Sequence, residues 1–291
     1  MQTGWRVFRS SALGAAAWLC ISVQAAVAIP SPSPSPAVSK VETDPCWQQL
    51  QSIKGISRQS CQQAALQASG VRSVQGKAVL MRDLPAAAGI GKPSRVLVLG
   101  GIHGDEPTAT VLALRWIELA RQIPAQSHWR FLPALNPDGL LAKKPSRTNA
   151  HGVDLNRNFP TPNWQNEAAS YWGKRTKKDP RRWPGDKPLS EPESKLVFDQ
   201  MASFAPQLIV SIHAPYGVLD FDGPTIPPQK LGRLYLDQIG IYPGSLGNYA
   251  GVHRGIPVVT IELPHASRPP SEAETRQMWL DLLRWMSVKG F

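Results

Sequence analysis

Short apolar runs alternate along this chain with longer stretches in which the apolar residues recur at helical spacing. The runs predict strands at residues 71–80, where Gly76 marks a turn or bulge, and at 96–99, 128–135, 208–212 and 258–261. The spaced stretches predict helices at 108–121, 192–204, 229–238 and 271–286. A long loop is predicted between the third strand and the second helix. This alternation predicts an α/β fold, in which helices cover both faces of a mostly parallel, mixed and twisted sheet. Ligands of such sheets bind beyond the carboxyl ends of the strands.

The N-terminal part of the chain has the composition of a targeting sequence followed by a spacer. Residues 1–28 combine Arg6 and Arg9 with an apolar stretch and end in small residues, which is the plan of a secretory signal peptide. A membrane anchor is the weaker interpretation, because the apolar stretch is short for a bilayer span. Residues 29–45 form a Ser/Pro-rich linker. We therefore expect an exported protein, periplasmic or secreted, without a stable membrane span.

Two cysteines remain once the predicted signal peptide is removed. Cys46 and Cys61 are an even pair in a chain expected to reach an oxidising compartment, so they predict a disulfide rather than two buried thiols. The disulfide would cross-link an N-terminal segment, residues 46–69, that has the pattern of one or two short helices. The main domain is expected to cover residues 70–291.

The chain carries a large excess of positive charge. It has 32 Lys and Arg against 21 Asp and Glu, a formal charge of +11, which suggests a nucleic acid, an anionic lipid or an acidic cell-wall polymer as partner. Nucleic acid is disfavoured, because the sequence signals no nucleic-acid-binding fold and the chain is expected to be exported. The basic run at residues 174–182, flanked by Trp172 and Trp183, is either a surface for an acidic glycan or peptide or a solvated loop.

Reactive side chains follow three of the predicted strands. His103 and Glu106 follow the second strand through a glycine-rich corner, and His213 and Glu262 directly follow the fourth and fifth strands. Because parallel strands end at one edge of a sheet, we expect all four side chains to gather there. A catalytic zinc site takes three protein ligands and keeps one open position. The pattern therefore predicts one Zn²⁺ per chain on the two histidines and Glu106, with Glu262 free to act as a base.

The stretch at residues 147–160 is the most specific part of the sequence. It reads Arg-Thr-Asn-Ala-His-Gly-Val-Asp-Leu-Asn-Arg-Asn-Phe-Pro and is preceded by Asn-Pro-Asp-Gly at residues 136–139. Together with the His-x-x-Glu corner, His213 and the Ile-Glu-Leu at residues 261–263, it resembles the zinc carboxypeptidase family in the order of its parts. The resemblance covers about residues 93–265 and implies the fold of that family.

Two further segments resemble one branch of that family. Residues 216–224 and 244–247 are similar to those of bacterial murein peptide amidases, which cut the γ-D-glutamyl-meso-diaminopimelate amide of cell-wall peptides. The resemblance implies zinc-dependent hydrolysis of that bond in a murein peptide or another small peptide. The alternatives are a general metallocarboxypeptidase, an N-acyl amino acid deacylase, and a peptidoglycan-binding protein without activity, against which the retained Glu262 argues.

The resemblance implies the same three zinc ligands and the same base, and it adds roles for four residues of the central motif. Arg147 would polarise the scissile carbonyl and stabilise the oxyanion. Asn156 and Arg157 would grip the terminal carboxylate of the substrate, a task that suits the planar fork of arginine. Asp154 would orient the first histidine ligand by a hydrogen bond from outside the zinc site.

Three acidic residues and two tyrosines have open roles. Asp105 lies between the predicted ligands, where digestive carboxypeptidases carry an arginine, so the substrate-binding site must differ there. Asp105, Asp220 or Asp222 is a candidate receptor for the ammonium group of diaminopimelate, and a solvated loop acid is the alternative for each. Tyr242 best matches the tyrosine that closes over substrate in the family, with Tyr249 as the second candidate.

Overall fold

The computed structural model describes residues 44–122 and 126–291, so the predicted signal peptide and most of the predicted linker lie outside the described residues. The strands of the described part are β1 (Gln67–Arg72), β2 (Ala78–Leu84), β3 (Arg95–Gly100), β4 (His128–Leu132), β5 (Leu208–His213), β6 (Leu219–Asp222), β7 (Lys230–Leu231), β8 (Leu234–Tyr235) and β9 (Val258–Glu262). Its α-helices are α1 (Pro45–Leu50), α2 (Arg58–Ala64), α3 (Pro107–Gln122), α4 (Pro137–Leu140), α5 (Trp164–Lys174), α6 (Pro192–Ser203) and α7 (Glu272–Lys289). Within these residues, no helix is both long enough and apolar enough to cross a membrane.

A seven-stranded sheet carries the predicted site. Its strand order is β1-β2-β4-β3-β5-β9-β6. The central strands β4, β3, β5 and β9 are parallel, β2 and β6 pair with β4 and β9 in the antiparallel sense, and β1 is antiparallel to β2. The predicted α/β class and mixed sheet are therefore confirmed, and the carboxyl ends of the four parallel strands lie together at one edge.

Alternate residues of the central strands contribute to two separate hydrophobic cores. In β3, Val96 and Val98 pack with residues of α3 and α7, whereas Leu97 and Leu99 pack with α6 and with a π-helical segment at Gly247–His253. This period of two is the geometry of a strand that is buried on both sides. Helices thus cover both faces of the sheet, as the sequence pattern predicts.

Three sequence predictions of local structure differ from the structure. The run at residues 71–80 divides at the turn that its glycine predicts, because the chain turns near Gly76 and β1 and β2 form an antiparallel hairpin. The helix predicted at residues 229–238 is instead the small hairpin β7–β8, in which Leu231 pairs with Leu234 across a two-residue turn. The three-residue spacing of the two leucines imitates a helix, but one leucine lies on each strand of the hairpin, and both are buried.

The third difference from the sequence prediction concerns the region between β4 and α6, which the sequence pattern predicts to be one long loop. This region contains helix α5, which buries only Trp164 and Ala168 among its side chains. So thin an apolar stripe gives little helical periodicity in the sequence. A short 3₁₀ turn, Leu155–Arg157, precedes α5, and another, Pro180–Arg182, follows it.

The N-terminal segment packs beside the sheet as two short helices. Cys46 in α1 and Cys61 in α2 are bonded to each other, and both are fully buried. Asp44 caps α1 and Ser57 caps α2 through hydrogen bonds to the first backbone N–H groups. The pair belongs to the same hydrophobic core as α3, on the face of the sheet that carries Val96 and Val98.

Candidate active site

The corner after β3 carries the first two predicted ligands and requires a glycine. Gly104 lies between His103 and Glu106, and a β-carbon at this position would lie 2.2 Å from the backbone of residues 139–140. No side chain fits in that space, so glycine allows the corner to pack directly against α4. This contact fixes the two ligands relative to the segment that follows β4.

Three buried side chains converge on one point at the edge of the sheet. His103 Nδ1 lies 2.9 Å from Glu106 Oε1, and His213 Nδ1 lies 3.2 Å from Glu106 Oε2. The two Nδ1 atoms are 3.2 Å apart. Atoms that bind one zinc ion at about 2.1 Å in tetrahedral geometry are separated from each other by about 3.3 Å. The spacing of the donors therefore suits a single metal ion.

Outer hydrogen bonds fix the orientation of both histidines. Nε2 of His103 lies 3.2 Å from Asp154 Oδ1, and Nε2 of His213 lies 2.9 Å from Ser211 Oγ. The Asp154 carboxylate accepts the ring proton of His103 at Nε2, which leaves a lone pair on Nδ1, and the Ser211 hydroxyl can accept the Nε2 proton of His213 in the same way. Lone pairs at these distances repel one another unless a cation lies between them. The donor set therefore fits Zn²⁺, for which imidazole and carboxylate are normal ligands.

Asp154 links the first histidine to Arg147. Its Oδ2 accepts a 2.9 Å hydrogen bond from Arg147 Nε. Burial alone would raise the pKa of Asp154, but the Arg147 charge and the His103 hydrogen bond hold that pKa well below its ordinary value. Arg147 Nη1 lies 3.6 Å from Glu106 Oε1, so its charge reaches the donor set. This position is compatible with the predicted role of Arg147 beside the reacting carbonyl.

Glu262 is held beside the donor set by the register of the sheet. It ends β9 and is the register partner of His213, which ends β5. The side chain is buried, and its Oε2 has no hydrogen-bond partner within the described part of the chain. Burial raises the pKa of Glu262 above the ordinary value. A carboxylate oxygen with spare acceptor capacity at this point is suited to take a proton.

The 3₁₀ turn after Asp154 carries the two residues predicted to grip a substrate carboxylate. Asn156 Oδ1 accepts a 2.8 Å hydrogen bond from the backbone of Leu246. Arg157 is buried, and its Nη1 donates to the Asn156 carbonyl at 2.6 Å. Its Nε has no partner among the described residues. A buried guanidinium with an unused donor has capacity for an anion.

The two candidate tyrosines lie in different environments, one in the cleft and one in the core. The ring of Tyr242 lies 4.5 Å from the Arg157 guanidinium, and Tyr242 lines the cleft above the donor set. Tyr249 is buried in the core, where its ring packs against Phe159 and Phe198. Of the two tyrosines, Tyr242 is therefore the one that lines the cleft.

The three candidate acids lie in different surroundings. Asp220 and Asp222 alternate along β6, share one face of it and line the cleft. Asp105 is not among the residues that line the cleft, and its Oδ2 accepts a 2.8 Å hydrogen bond from Arg181 Nη2. Because that carboxylate is already paired with a cation, the structure does not favour Asp105 as the receptor of a substrate ammonium.

Asp222 packs against a neighbouring glycine and has no cationic partner among the described residues. A β-carbon at Gly247 would lie 1.8 Å from Asp222 Oδ2, so the carboxylate packs directly against the backbone of this glycine. Burial and the neighbouring Asp220 raise the pKa of Asp222 to about 7. No salt bridge to Asp222 occurs among the residues that the structure describes. A cationic group in the cleft would therefore stabilise the ionised form of Asp222.

Three residues that the sequence did not assign to the site lie in or beside it. Ser211 supports His213 from two positions earlier on β5, and the alternation of a strand is the signal that could have identified it. Tyr216 and Arg182 line the cleft from loops, where no periodicity indicates which way a side chain faces.

Comparisons with known proteins agree with this geometry. Residues 50–220 match the family model described as zinc carboxypeptidase. Murein peptide amidase A of Vibrio campbellii is 34% identical over 204 residues, which cover 66% of this chain and 79% of the relative. Murein peptide amidase A of Escherichia coli K12 is 30% identical over 224 residues, which cover 74% of this chain and 88% of the relative. The crystal structure of murein-tripeptide amidase from Escherichia coli O157 matches with a TM-score of 0.55 at 28% identity, covering 76% of this chain and 92% of that one.

Proposed function

The chain belongs to the zinc carboxypeptidase family, and we propose that it hydrolyses the γ-D-glutamyl-meso-diaminopimelate amide of murein peptides. Family membership makes the protein a metallopeptidase. The observation that carries the choice of bond is the presence, in one cleft, of a guanidinium with an unused donor and a carboxylate with no internal cation. Diaminopimelate offers both a carboxylate and an ammonium group to such a cleft.

The chemistry that zinc supplies, when bound to His103, Glu106 and His213, is Lewis acidity, which polarises the amide carbonyl and lowers the pKa of water to about 7. Glu262 accepts one proton from the water as its oxygen attacks the amide carbon. Arg147 stabilises the negative charge that develops on the carbonyl oxygen. As the C–N bond breaks, Glu262 returns the proton to the leaving nitrogen, so the products are an acid and a free amine.

The remaining cleft residues orient the leaving half of the substrate. Arg157 and Asn156 receive the carboxylate next to the amide nitrogen, and the ring of Tyr242 covers the Arg157 guanidinium. Asp222 receives the ammonium group at the far end of diaminopimelate. In the protein without substrate, the pKa of Asp222 is about 7. The incoming ammonium group favours the charged form of the carboxylate, and the charged carboxylate in turn binds the ammonium group.

Product analysis tests the proposed bond. Purified zinc-loaded protein is incubated with L-Ala-γ-D-Glu-meso-diaminopimelate, with its α-linked isomer and with an N-acyl amino acid, and the products are identified by mass spectrometry. We expect free diaminopimelate from the first peptide alone. Cleavage of only the α-linked peptide would identify a general carboxypeptidase, cleavage of only the N-acyl amino acid a deacylase, and no cleavage a binding protein.

A variant tests the contribution of Asp222 to substrate choice. Asp222→Asn is expected to lower kcat/KM for the diaminopimelate peptide while leaving that for the matching 2-aminopimelate peptide, which lacks the distal amine, close to the wild-type value. Loss of one ion-paired hydrogen bond corresponds to about a 10- to 100-fold change. Equal discrimination by the variant and the wild type would remove Asp222 from substrate recognition.

We also propose that the protein is exported and acts in the periplasm or outside the cell. The composition of residues 1–28 and the Cys46–Cys61 bond support this location. Cell fractionation, with N-terminal mass analysis of the mature protein, tests it. Recovery of the full-length chain in the cytoplasm would refute it.

A further inference from the structure

Arg182 is a cleft residue for which the reaction described above has no use. We propose that it binds a second carboxylate of the substrate, separate from the one assigned to Arg157. This inference rests on the proposed function, since it adds a feature of the same substrate to the same cleft.

Both neighbours of Arg182 in the sequence are hydrogen-bonded to residues of the active-site region, Arg181 through its side chain and Trp183 through its backbone. On one side, Arg181 donates to Asp105, which lies between two of the metal donors in the sequence. On the other side, the carbonyl of Trp183 accepts a 2.8 Å hydrogen bond from the N–H of Asp154. Both anchors reach the residues around His103, so the position of Arg182 relative to the donor set is fixed by the fold.

The turn that carries Arg182 is closed by its own hydrogen bonds. Asp179 Oδ1 accepts from Arg181 N at 3.0 Å, and the Asp179 carbonyl accepts from Arg182 N at 3.0 Å. The Arg182 side chain has 35% exposure, and its Nε lies 3.6 Å from Asp179 Oδ2. Among the described residues no other carboxylate lies within salt-bridge distance of this side chain. Its guanidinium therefore retains donors for a ligand in the cleft.

The charges in the cleft indicate that this ligand is an anion. Arg147, Arg157 and Arg182 all line it. Burial lowers the pKa of Arg157, the charge of Asp154 opposes that shift, and the charges of Arg147 and Arg182 add to it. Arg147 is paired with Asp154. The one carboxylate within salt-bridge distance of Arg182 among the described residues is Asp179, at 3.6 Å from Nε, so the rest of its guanidinium can donate to a carboxylate in the cleft.

A murein peptide offers two carboxylates besides the one assigned to Arg157. The γ-linked D-glutamate keeps a free α-carboxylate on the acyl side of the amide, and diaminopimelate carries a second carboxylate at its far end. Both present the same planar group, which suits the fork of an arginine. Arg182 would thereby distinguish murein peptides from substrates that lack this additional charge.

Amidated substrates test the proposal and separate the two sources. We would measure kcat/KM of the wild type and of Arg182→Gln with the parent tripeptide, with the peptide amidated at the D-glutamate α-carboxylate, and with the peptide amidated at the distal carboxylate. Arg182→Gln is expected to lower kcat/KM about 10- to 100-fold for the parent. The same variant should have little effect on whichever amidated peptide lacks the carboxylate that Arg182 binds. Equal losses on all three peptides would overturn the proposal.

A matched variant and a binding measurement complete the test. Arg175→Gln removes the same charge from an exposed position of the same basic run and should leave all three values unchanged. Calorimetric titration with the parent peptide and its two monoamides, using proteins that also carry Glu262→Gln, measures affinity without turnover. If the wild type cleaves none of the peptides, the proposed function fails, and the titration still decides whether Arg182 discriminates a carboxylate from an amide.

Discussion

Asp222→Asn should make the folded protein more stable at alkaline pH, although it removes a charge from the proposed substrate site. The pKa of Asp222 is raised from 3.8 to about 7 by burial and by Asp220. An acid whose pKa is higher in the folded state than in the unfolded state favours folding while it is protonated. That contribution is present in full below about pH 4 and is lost as the pH rises through 7, because the native state then has to ionise a partly buried group.

The size of the effect follows from the shift. About three pKa units correspond to at most about 4 kcal/mol, at roughly 1.4 kcal/mol per unit. Asp222 faces a cleft that solvent enters, and solvent screens its charge, so we expect about 1–2 kcal/mol in practice. The amide of asparagine resembles the protonated carboxyl in shape and carries no charge. The variant should therefore be more stable than the wild type by about that amount at pH 8, and by less at pH 5, where the native carboxyl is still protonated.

Urea unfolding of metal-free protein at pH 5 and pH 8 measures the difference. Metal is removed because its binding depends on pH and would add to the apparent stability. Asp186→Asn, at an exposed position away from the cleft, is the matched control. Its free energy of unfolding should differ from that of the wild type by the same amount at both pH values. A stability difference between variant and wild type that is the same at pH 8 as at pH 5 would refute this prediction, because it would show that folding does not raise the pKa of Asp222.

Three further outcomes test the site and its support. Glu262→Gln should lower kcat about 10²- to 10⁴-fold with unchanged zinc content by elemental analysis, and retained activity would exclude Glu262 as the base. Asp154→Asn should weaken zinc binding about 10- to 100-fold in competition with a chelator, because His103 loses the partner that orients it. Serine at Cys46 and Cys61 should lower the free energy of unfolding by about 3 kcal/mol in urea while kcat/KM is unchanged, and loss of activity in the folded variant would contradict a purely structural role.

The donor set could be predicted from the sequence because the sheet determines its geometry. Parallel strands bring their carboxyl ends together, and a residue that directly follows a buried apolar run must lie at that edge. His213 and Glu262 satisfy this condition, and the structure makes them register partners. His103 and Glu106 lie at the same edge because their corner directly follows β3, the strand next to β5.

The side chains that line the rest of the cleft come from segments whose direction no periodic pattern reveals. Arg182 belongs to a basic run in which six cations look alike in the sequence, and only its hydrogen-bonded turn brings this one into the cleft. Asp105 shows the converse, because its place between two ligands suggests contact with substrate, whereas its carboxylate faces Arg181. Long-range pairs of this kind depend on how loops pack, which is a tertiary property.

The pairing of Asp105 with Arg181 gives the departure from digestive carboxypeptidases a physical meaning. In this chain the corner carries an acid that pairs with Arg181 of the turn Pro180–Arg182, and the next residue of that turn, Arg182, lines the cleft. A cation beside the site is thus supplied by this turn and not by the zinc corner. Exchange of charge between Asp105 and Arg181 should therefore preserve folding better than either single reversal, while it alters which peptides are cleaved.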